Sequence, residues 1–258
     1  MLLTEILSKR DVLSTLVEKD FKSRYKAKAL GRLWSVADPL VMVVIYTIVF
    51  AHILQVAERF YPIFLLLGLT PFRFFTNSVN GAAASVTDNT ALVKRVAFPR
   101  VMLPVAVVLS HSRHFFIELS LVVALFLYYP EAFIPTLNLV WLPVIFGVQM
   151  VFATGVALMV SALNVRYRDT QYILNSVVLV MTWLTPTFYS FNVVPESLAH
   201  ILMWNPMVGV VEGYRSVLLH GSRPSFTLMG SAGIAALAVF IVGAIVFRKY
   251  EHVFADYI

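Results

Sequence analysis

Two histidines and one glutamate near the middle of the chain have types and spacing that could bind a metal ion. His111, His114 and Glu118 are three and four residues apart, so they would share one face of an α-helix. Imidazole and carboxylate groups are common ligands of zinc. Arg113 lies beside them, however, and a polar cluster that Arg113 and Glu118 help to neutralise is the simpler interpretation. We therefore predict no metal in this chain.

The chain lacks the residues that ATP hydrolysis requires. The phosphate-binding pattern Gly-x-x-x-x-Gly-Lys-Ser/Thr is absent, and no Gly-Lys pair occurs anywhere. We find no acid or base constellation of the kind that a sugar transferase needs. The absence of cysteine excludes disulfides and cysteine nucleophiles. We predict that the chain is not an enzyme and binds no cofactor, and that ATP and Mg, if used, are bound by a separate protein.

The composition is that of an all-α integral membrane protein. Of 258 residues, 59% are hydrophobic and 13% are charged, and the mean hydropathy is +0.81. Soluble domains average about 45–50% apolar and about 25% charged residues. A soluble core of this length could not bury so much apolar surface, whereas lipid removes that limit.

Six segments are long and apolar enough to be transmembrane helices. They are residues 39–57, 62–82, 101–129, 139–163, 172–191 and 228–247. The chain is predicted to be one domain, with a cytoplasmic amphipathic segment (1–35), a six-helix membrane region (36–247) and a cytoplasmic tail (248–258).

Lysine and arginine are distributed unevenly between the two sides of the membrane. They concentrate before the first span, after the second and fourth spans and in the tail, while the opposite side carries only Arg59, Arg215 and Arg223. The positive-inside rule therefore places both termini in the cytoplasm. The net charge of +6 follows from this topology, so we predict no nucleic-acid partner.

Residues 6–32 form a predicted amphipathic helix. Its apolar face recurs every four residues, at Leu13, Val17, Phe21 and Tyr25. Another face carries lysines, at Lys19, Lys22 and Lys26. This pattern is typical of a helix that lies in the membrane interface, with its apolar face in lipid and its lysines toward headgroups or a partner protein. A solvated basic helix without a partner is the alternative.

Two other segments do not span. In the connector 85–100, Asp88 can cap a short helix through Val96 that exposes Leu92 and Val93, either to a protein partner or to lipid. On the outer side, the Pro- and Gly-rich segment 192–225 contains apolar stretches too short to span, which either re-enter the membrane or lie at its interface. We predict a re-entrant hairpin.

Some polar and aromatic residues in the spans could serve transport. Arg73 in the second span must reach the interface, pair with an acid or face a cavity, and Glu212 and Arg215 can pair on one helix face. Six aromatics cluster in or beside spans one and five: Trp34, Tyr46, Phe50, Trp183, Phe188 and Tyr189. Aromatic faces suit sugar rings, although interfacial belts and packing are the alternative for each residue.

Several local motifs together resemble the ABC-2-type polysaccharide-export permeases, above all those of O-antigen and wall-teichoic-acid exporters. The matching motifs, in order, are Arg24-Tyr25-Lys26, Leu30-Gly31-Arg32-Leu33-Trp34-Ser35 with Pro39, Leu67-Gly68-Leu69 with Pro71, Phe98-Pro99-Arg100, Asn164 with Arg168-Asp169, Thr185-Pro186, Trp204-Asn205-Pro206 and Phe254-Ala255-Asp256. Each motif is weak by itself, but their order and spacing cover nearly the whole chain.

The resemblance implies a homodimer in the bacterial cytoplasmic membrane, with two copies of a separate ATPase subunit, that exports a glycan on a polyprenyl pyrophosphate. It implies three sets of site residues. The ATPase-coupling set is Lys22, Tyr25, Asp88, Leu92, Val93, Lys94 and Arg95. The translocation-channel set is the six aromatics named above. The outer-gate set is Pro195, Trp204, Pro206, Glu212 and Arg215.

Three other functions are compatible with the hydropathy. An ABC-2 permease for a drug or small lipid would have the same span pattern. An ion-coupled secondary transporter would need intramembrane carboxylates, for which Glu118 is the one plausible residue. A membrane enzyme would need the reactive constellation that we do not find.

Overall fold

The computed structural model describes residues 9–25, 34–56, 58–96, 98–167, 169–252 and 254. The regular secondary structure of these residues is helical, and they contain no strand. The α-helices in this part of the chain are α1 (Arg10–Tyr25), α2 (Trp34–Tyr46), α3 (Tyr61–Ala84), α4 (Thr90–Arg95), α5 (Met102–Tyr128), α6 (Leu142–Arg166), α7 (Thr170–Leu184), α8 (Glu196–Leu202), α9 (Pro206–Leu218) and α10 (Phe226–Glu251). A π-helix, Thr47–Ile53, extends α2. The predicted all-α class is confirmed.

Four segments among the described residues are long and apolar enough to cross a membrane. They are Val36–Ile53, Met102–Tyr128, Leu137–Arg166 and Phe226–Glu251, and they correspond to the first, third, fourth and sixth predicted spans. The chain is therefore a multi-pass membrane protein. At the second predicted span, α3 has 24 residues, but its polar side chains lower its mean hydropathy. At the fifth predicted span, α7 has 15 residues and is shorter than a full crossing requires. That these two helices also cross stays a prediction.

The centre of the bundle is α3. Its side chains Ile63, Leu65 and Val79 have no exposed surface, because α5, α6 and α9 pack around it. The ring of Phe75 stacks on that of Phe152 in α6 at 4.8 Å between centroids. A helix that is apolar on nearly every side is typical of a buried position.

Two glycines allow α6 and α10 to approach closely. A Cβ atom on Gly155 would lie 2.6 Å from the backbone of Phe240, and one on Gly243 would overlap the backbone of Gly155. Lipid provides no hydrophobic drive for helices to associate, so close contact through small residues is a principal source of attraction. This crossing joins the end of the chain to its core.

The helices α2 and α7 lie at the edge of the bundle. Within Val36–Ile53 the buried residues are Pro39 and Val43, and in α7 the buried residue is Leu174. Both helices consequently present apolar faces that the rest of the described chain does not cover. These two helices, together with the π-helix that extends α2, carry four of the six predicted channel aromatics: Trp34, Tyr46, Phe50 and Trp183.

The N-terminal helix α1 packs against α5. Val17, on the predicted apolar face, is 4% exposed, and Leu13 and Phe21 are half-buried. The amphipathic helix is thus present over Arg10–Tyr25, but its apolar face contacts protein where the sequence predicted lipid. Residues 6–8 and 26–32 of the predicted helix, and the side chain of Tyr25, lie outside the described part of the chain.

Candidate functional site

Four of the six predicted channel aromatics meet at Phe188. Its ring centroid lies 4.9 Å from that of Tyr46, 5.3 Å from that of Phe50 and 5.8 Å from that of Trp183. We call Tyr46, Phe50, Trp183 and Phe188 the aromatic cluster. It joins the end of α2 to the end of α7, so two helices that are distant in sequence share one aromatic surface.

The aromatic cluster is buried at its centre and open at one side. Phe188 is 4% exposed, whereas Trp183 is 60% exposed. The Tyr189 hydroxyl donates to the carbonyl of Trp183 at 2.9 Å and therefore shapes the backbone beside the cluster. Trp34 begins α2, at the opposite end from Tyr46, about 18 Å away at about 1.5 Å per residue. The structure does not bring it to the cluster.

The segment after α7, residues 185–189, carries Phe188, and we call it the aromatic loop. Arg215 of α9 is 1% exposed and donates to three carbonyls of this loop. Its Nη2 donates to Thr187 at 2.8 Å, and Nη1 donates to Pro186 and to Tyr189 at 3.2 Å. Sequence reasoning identified Arg215 but not this role, because the loop lies far away along the chain.

Residues from α3 and α9 fix the aromatic loop further. The Tyr61 hydroxyl donates to the carbonyl of Phe188 at 2.9 Å. Asn205 donates to the Thr185 hydroxyl at 3.1 Å and accepts from the Met207 amide at 3.0 Å, which caps α9. The roles of Tyr61 and Asn205 were missed, although Asn before Pro at a helix start is a recognisable capping signal.

The loop also requires a glycine opposite it. A Cβ atom on Gly68 of α3 would lie 2.7 Å from the Thr187 carbonyl oxygen and 2.8 Å from Nη2 of Arg215. Both distances are shorter than carbon–oxygen and carbon–nitrogen contacts in folded proteins. Only a residue without a side chain lets the loop and Arg215 approach α3 this closely.

The segment predicted to lie on the outer side, residues 192–225, contains two short helices. Pro195 precedes α8, which has 7 residues, and Pro206 is the first residue of α9, which has 13. Trp204, in the turn between them, is 54% exposed. The predicted pair is present, because Arg215 donates to Glu212 at 2.9 Å. The re-entrant path and the gating role of these residues stay predictions.

The connector 85–100 differs from the prediction at Asp88. This residue lies in a 3₁₀ turn, Thr87–Asn89. The N-cap position of α4 is Asn89, without a side-chain capping bond, and α4 ends at Arg95. The prediction that Asp88 caps a helix through Val96 is therefore wrong. Hydrogen bonds from Thr and Asn side chains to preceding carbonyls favour a tight turn before the helix.

The predicted exposure of the connector's apolar residues is only partly correct. Val93 is 4% exposed and belongs to an apolar cluster with Val86, Val101 and Leu103, so the prediction that it is exposed is wrong. Leu92 is half-buried, while Lys94 and Arg95 are exposed. The sequence could not show that this short helix folds back onto the start of α5.

The connector contacts α1. Lys19 donates to the side-chain oxygen of Asn89 at 2.7 Å. Lys22 is exposed and pairs with Glu18 at 2.6 Å, and this contact lowers the pKa of Glu18. A polar cavity of about 250 Å³ lies between α1, the connector and α5. The two segments of the predicted ATPase-coupling set therefore form one continuous surface.

An ionic cluster joins α2, α3 and α5. Arg73 donates to Asp38, and its Nε lies 3.4 Å from Glu118 Oε1. His114 Nε2 lies 3.2 Å from the same oxygen. Arg73 thus pairs with acids, one of its three expected options. Arg113 is exposed and lies outside these contacts, so the prediction that it helps to neutralise the polar cluster is wrong. Asp38 was missed, although an acidic residue inside an apolar span is a signal of function.

This arrangement is unsuited to a metal ion. In the described part of the chain, no group of three or more histidine and acidic side chains could hold one. The guanidinium of Arg73 lies where a cation would have to approach Glu118. His111 faces Gly81 of α3, at 3.3 Å from the position of an added Cβ atom, so the three candidate ligands considered from the sequence do not converge.

Comparison with known proteins adds to this geometry. Residues 11–219 match the model of the family described as ABC-2 type transporter. The chain is similar to an O-antigen export system permease protein of Klebsiella pneumoniae, with 30% identity over 95% of this chain and 94% of the relative. A Myxococcus xanthus protein of the same name is 28% identical over 99% and 98%. A polysialic acid transport protein of Escherichia coli is 19% identical over 93% of both chains.

Proposed function

The chain belongs to the ABC-2 type transporter family, and from this membership we propose that it is the permease of an ATP-driven exporter for a lipid-linked glycan polymer. The observation that carries the proposal is its similarity, over almost its whole length, to proteins named as O-antigen export permeases. The glycan would be of O-antigen or teichoic-acid type and would be carried on a polyprenyl pyrophosphate.

We further propose six spans, with both termini on the cytoplasmic side of a bacterial inner membrane. With 24 residues, α3 is about 36 Å long, which exceeds the hydrocarbon thickness of about 30 Å. With 15 residues, α7 is about 22 Å long, and the aromatic loop that follows it would complete the crossing. The distribution of lysine and arginine supports this orientation.

The edge positions of α2 and α7 support a homodimer with a central path. On α7, Gln171 and Asn175 are exposed one turn apart. Polar side chains on a membrane helix are costly against lipid, so they are expected to face a partner helix or water. Trp183, an exposed member of the aromatic cluster, extends this surface of α7. A second copy facing these helices would enclose a path with polar and aromatic walls.

A separate ATPase would supply the energy. The surface formed by α1 and the connector is suited to receive it, because it presents Lys22, Leu92, Lys94 and Arg95 on the side that the charge distribution assigns to the cytoplasm. The bond from Lys19 to Asn89 joins both segments. Movement of the ATPase against this surface would reach α5 directly, since α5 begins a few residues after α4.

The alternatives fit the molecule less well. A permease for a drug or small lipid is not favoured by relatives that are named as O-antigen, polysialic acid and capsule transporters. An ion-coupled transporter would need a carboxylate available to the ion, whereas Glu118 contacts Arg73 and His114 and Asp38 accepts from Arg73.

The test is deletion of the gene from its native host and measurement of both surface glycan and the intracellular pool of lipid-linked glycan. We expect surface glycan to fall and the lipid-linked pool to rise, with recovery when the wild-type chain is restored beside an active ATPase subunit. Normal surface glycan together with increased sensitivity to a drug would contradict the proposal and favour the small-molecule alternative.

A further inference from the structure

We propose that Arg73 is a positioning residue that holds α2 against the bundle through two acids. Its contact with Glu118 of α5 is maintained, whereas its bond to Asp38 of α2 can be released. We call these three side chains the latch. The consequence for transport rests on the proposed function, because it assumes that α2 lines the path of the glycan. The latch itself follows from the contacts of the three side chains.

The two acids that face Arg73 lie in different surroundings. The Glu118 side chain is 2% exposed and is held within α5, and His114 contacts the same carboxylate oxygen. The Asp38 side chain is 46% exposed. Water or a neighbouring subunit can reach Asp38 and replace its bond to Arg73, whereas Glu118 without Arg73 would be left buried with only His114 beside it. The contact to Asp38 is therefore the one that can open at low cost.

Few residues of α2 are fully buried. Pro39, which follows Asp38 directly, and Val43 are its buried residues within Val36–Ile53. Beyond Tyr46 the helix changes to a π-helix over Thr47–Ile53, a geometry that often marks a site of conformational adjustment. The other core-facing residues near Asp38, Val36 and Met42, are only partly buried, so the charge-assisted bond to Arg73 contributes to holding the first part of α2 in place.

The latch lies at a distance from the residues whose position it controls. Tyr46 is about 12 Å further along the helix axis than Asp38, at about 1.5 Å per residue. Release of Asp38 would free the first part of α2 to tilt about its contacts in the aromatic cluster. Because Tyr46 packs on Phe188 at 4.9 Å, such a tilt would change the aromatic surface without any change in α3 or α5.

The test measures the distance between α2 and α5 by pulsed electron spin resonance. The chain has no cysteine, so labels can be attached at Val41→Cys, in the first part of α2, and at Val123→Cys, which replace side chains that are 54% and 56% exposed. Dilution with unlabelled chain isolates the distance within one subunit. The purified permease is examined with Asp38→Asn, with Asp38→Glu and with Glu131→Gln, a control that breaks the exposed pair with Arg59.

We expect Asp38→Asn to raise the ratio of a second, released distance to the latched one roughly tenfold or more, as the loss of a charge-assisted hydrogen bond would. Asp38→Glu should retain the latched distance, and Glu131→Gln should not alter it. Arg73→Lys, which keeps the charge but cannot hold two carboxylates in a fixed geometry, should resemble Asp38→Asn. Unchanged distributions in both Asp38→Asn and Arg73→Lys would overturn the latch.

The measurement needs neither glycan nor ATPase, so its failure would leave the proposed export function unaffected. A matched assay in cells then connects the latch to transport. Asp38→Asn should change the rate at which glycan reaches the surface at an equal level of inserted protein, while Glu131→Gln should not. Normal export by Asp38→Asn, with the released distance populated, would overturn the positioning role in transport.

Discussion

The guanidinium carbon of Arg215 lies 3.5 Å from the centre of the Phe64 ring. The same side chain also donates from Nε to the carbonyl of Phe64 at 3.3 Å. A planar cation that is stacked on one side and bonded along its edge is fixed in orientation as well as in depth. Arg215 therefore holds the aromatic loop against α3, and we expect any effect of this residue on an outer gate to act through that loop.

Arg215→Lys should destabilise the protein by more than about 3 kcal/mol, because a lysine cannot stack and donate to several carbonyls at once. The thermal unfolding temperature of the purified permease is the measurement. Arg223→Lys is the matched control, since Arg223 lies 5.2 Å from the Phe226 ring on the same proposed side of the membrane. Equal unfolding temperatures for the two variants would refute the structural role of Arg215.

Gly68→Ala should cost about 1–3 kcal/mol, because the added methyl group would press on the Thr187 carbonyl and on Arg215. The matched control is Gly147→Ala, where a Cβ atom meets nothing within 4 Å. That change should be neutral, or should stabilise α6 by up to about 1 kcal/mol. Thermal unfolding of both variants gives the comparison, and a neutral Gly68→Ala would show that the loop can move away from α3.

Trp183→Ala, alone or with Tyr46→Ala, should reduce polymer export while membrane insertion remains normal, because Trp183 is exposed and its loss removes contact surface without a buried cavity. Phe188→Ala should instead cost about 3–5 kcal/mol of stability, since its ring is buried. Surface glycan at matched protein levels is the measurement. Tyr128→Ala is the control, as Tyr128 is 75% exposed and distant in sequence from the cluster. Full export by Trp183→Ala would show that the aromatic cluster serves packing and does not contact the glycan.

Leu92→Asp and Val93→Asp should separate coupling from folding in the connector. Leu92→Asp should leave an inserted permease that no longer binds its ATPase, because it places a charge on the proposed contact surface. Val93→Asp should instead lower the amount of folded protein, since it buries an unpaired charge at a cost of several kcal/mol. Co-purification of the two subunits and protein level are the measurements. Normal co-purification and export by Leu92→Asp would exclude this helix as a coupling element.

Several features of the chain followed from local chemistry in the sequence. The membrane class depends on composition alone, since no soluble core could bury so many apolar residues. The pairing of Glu212 with Arg215 followed from helical spacing, because residues three apart always share a face. The helix at Arg10–Tyr25 and its apolar face at Val17 followed from the same periodicity.

The fold alone decided which distant groups meet. Asp38 and Arg73 are 35 residues apart, and Arg215 bonds to carbonyls of a loop 26 to 29 residues earlier, so no periodicity relates them. The same limit explains the errors at Arg113 and Val93, where an apolar or charged residue could face either protein or solvent. Periodicity assigns a side chain to a face of its helix, but what covers that face depends on how the helices pack.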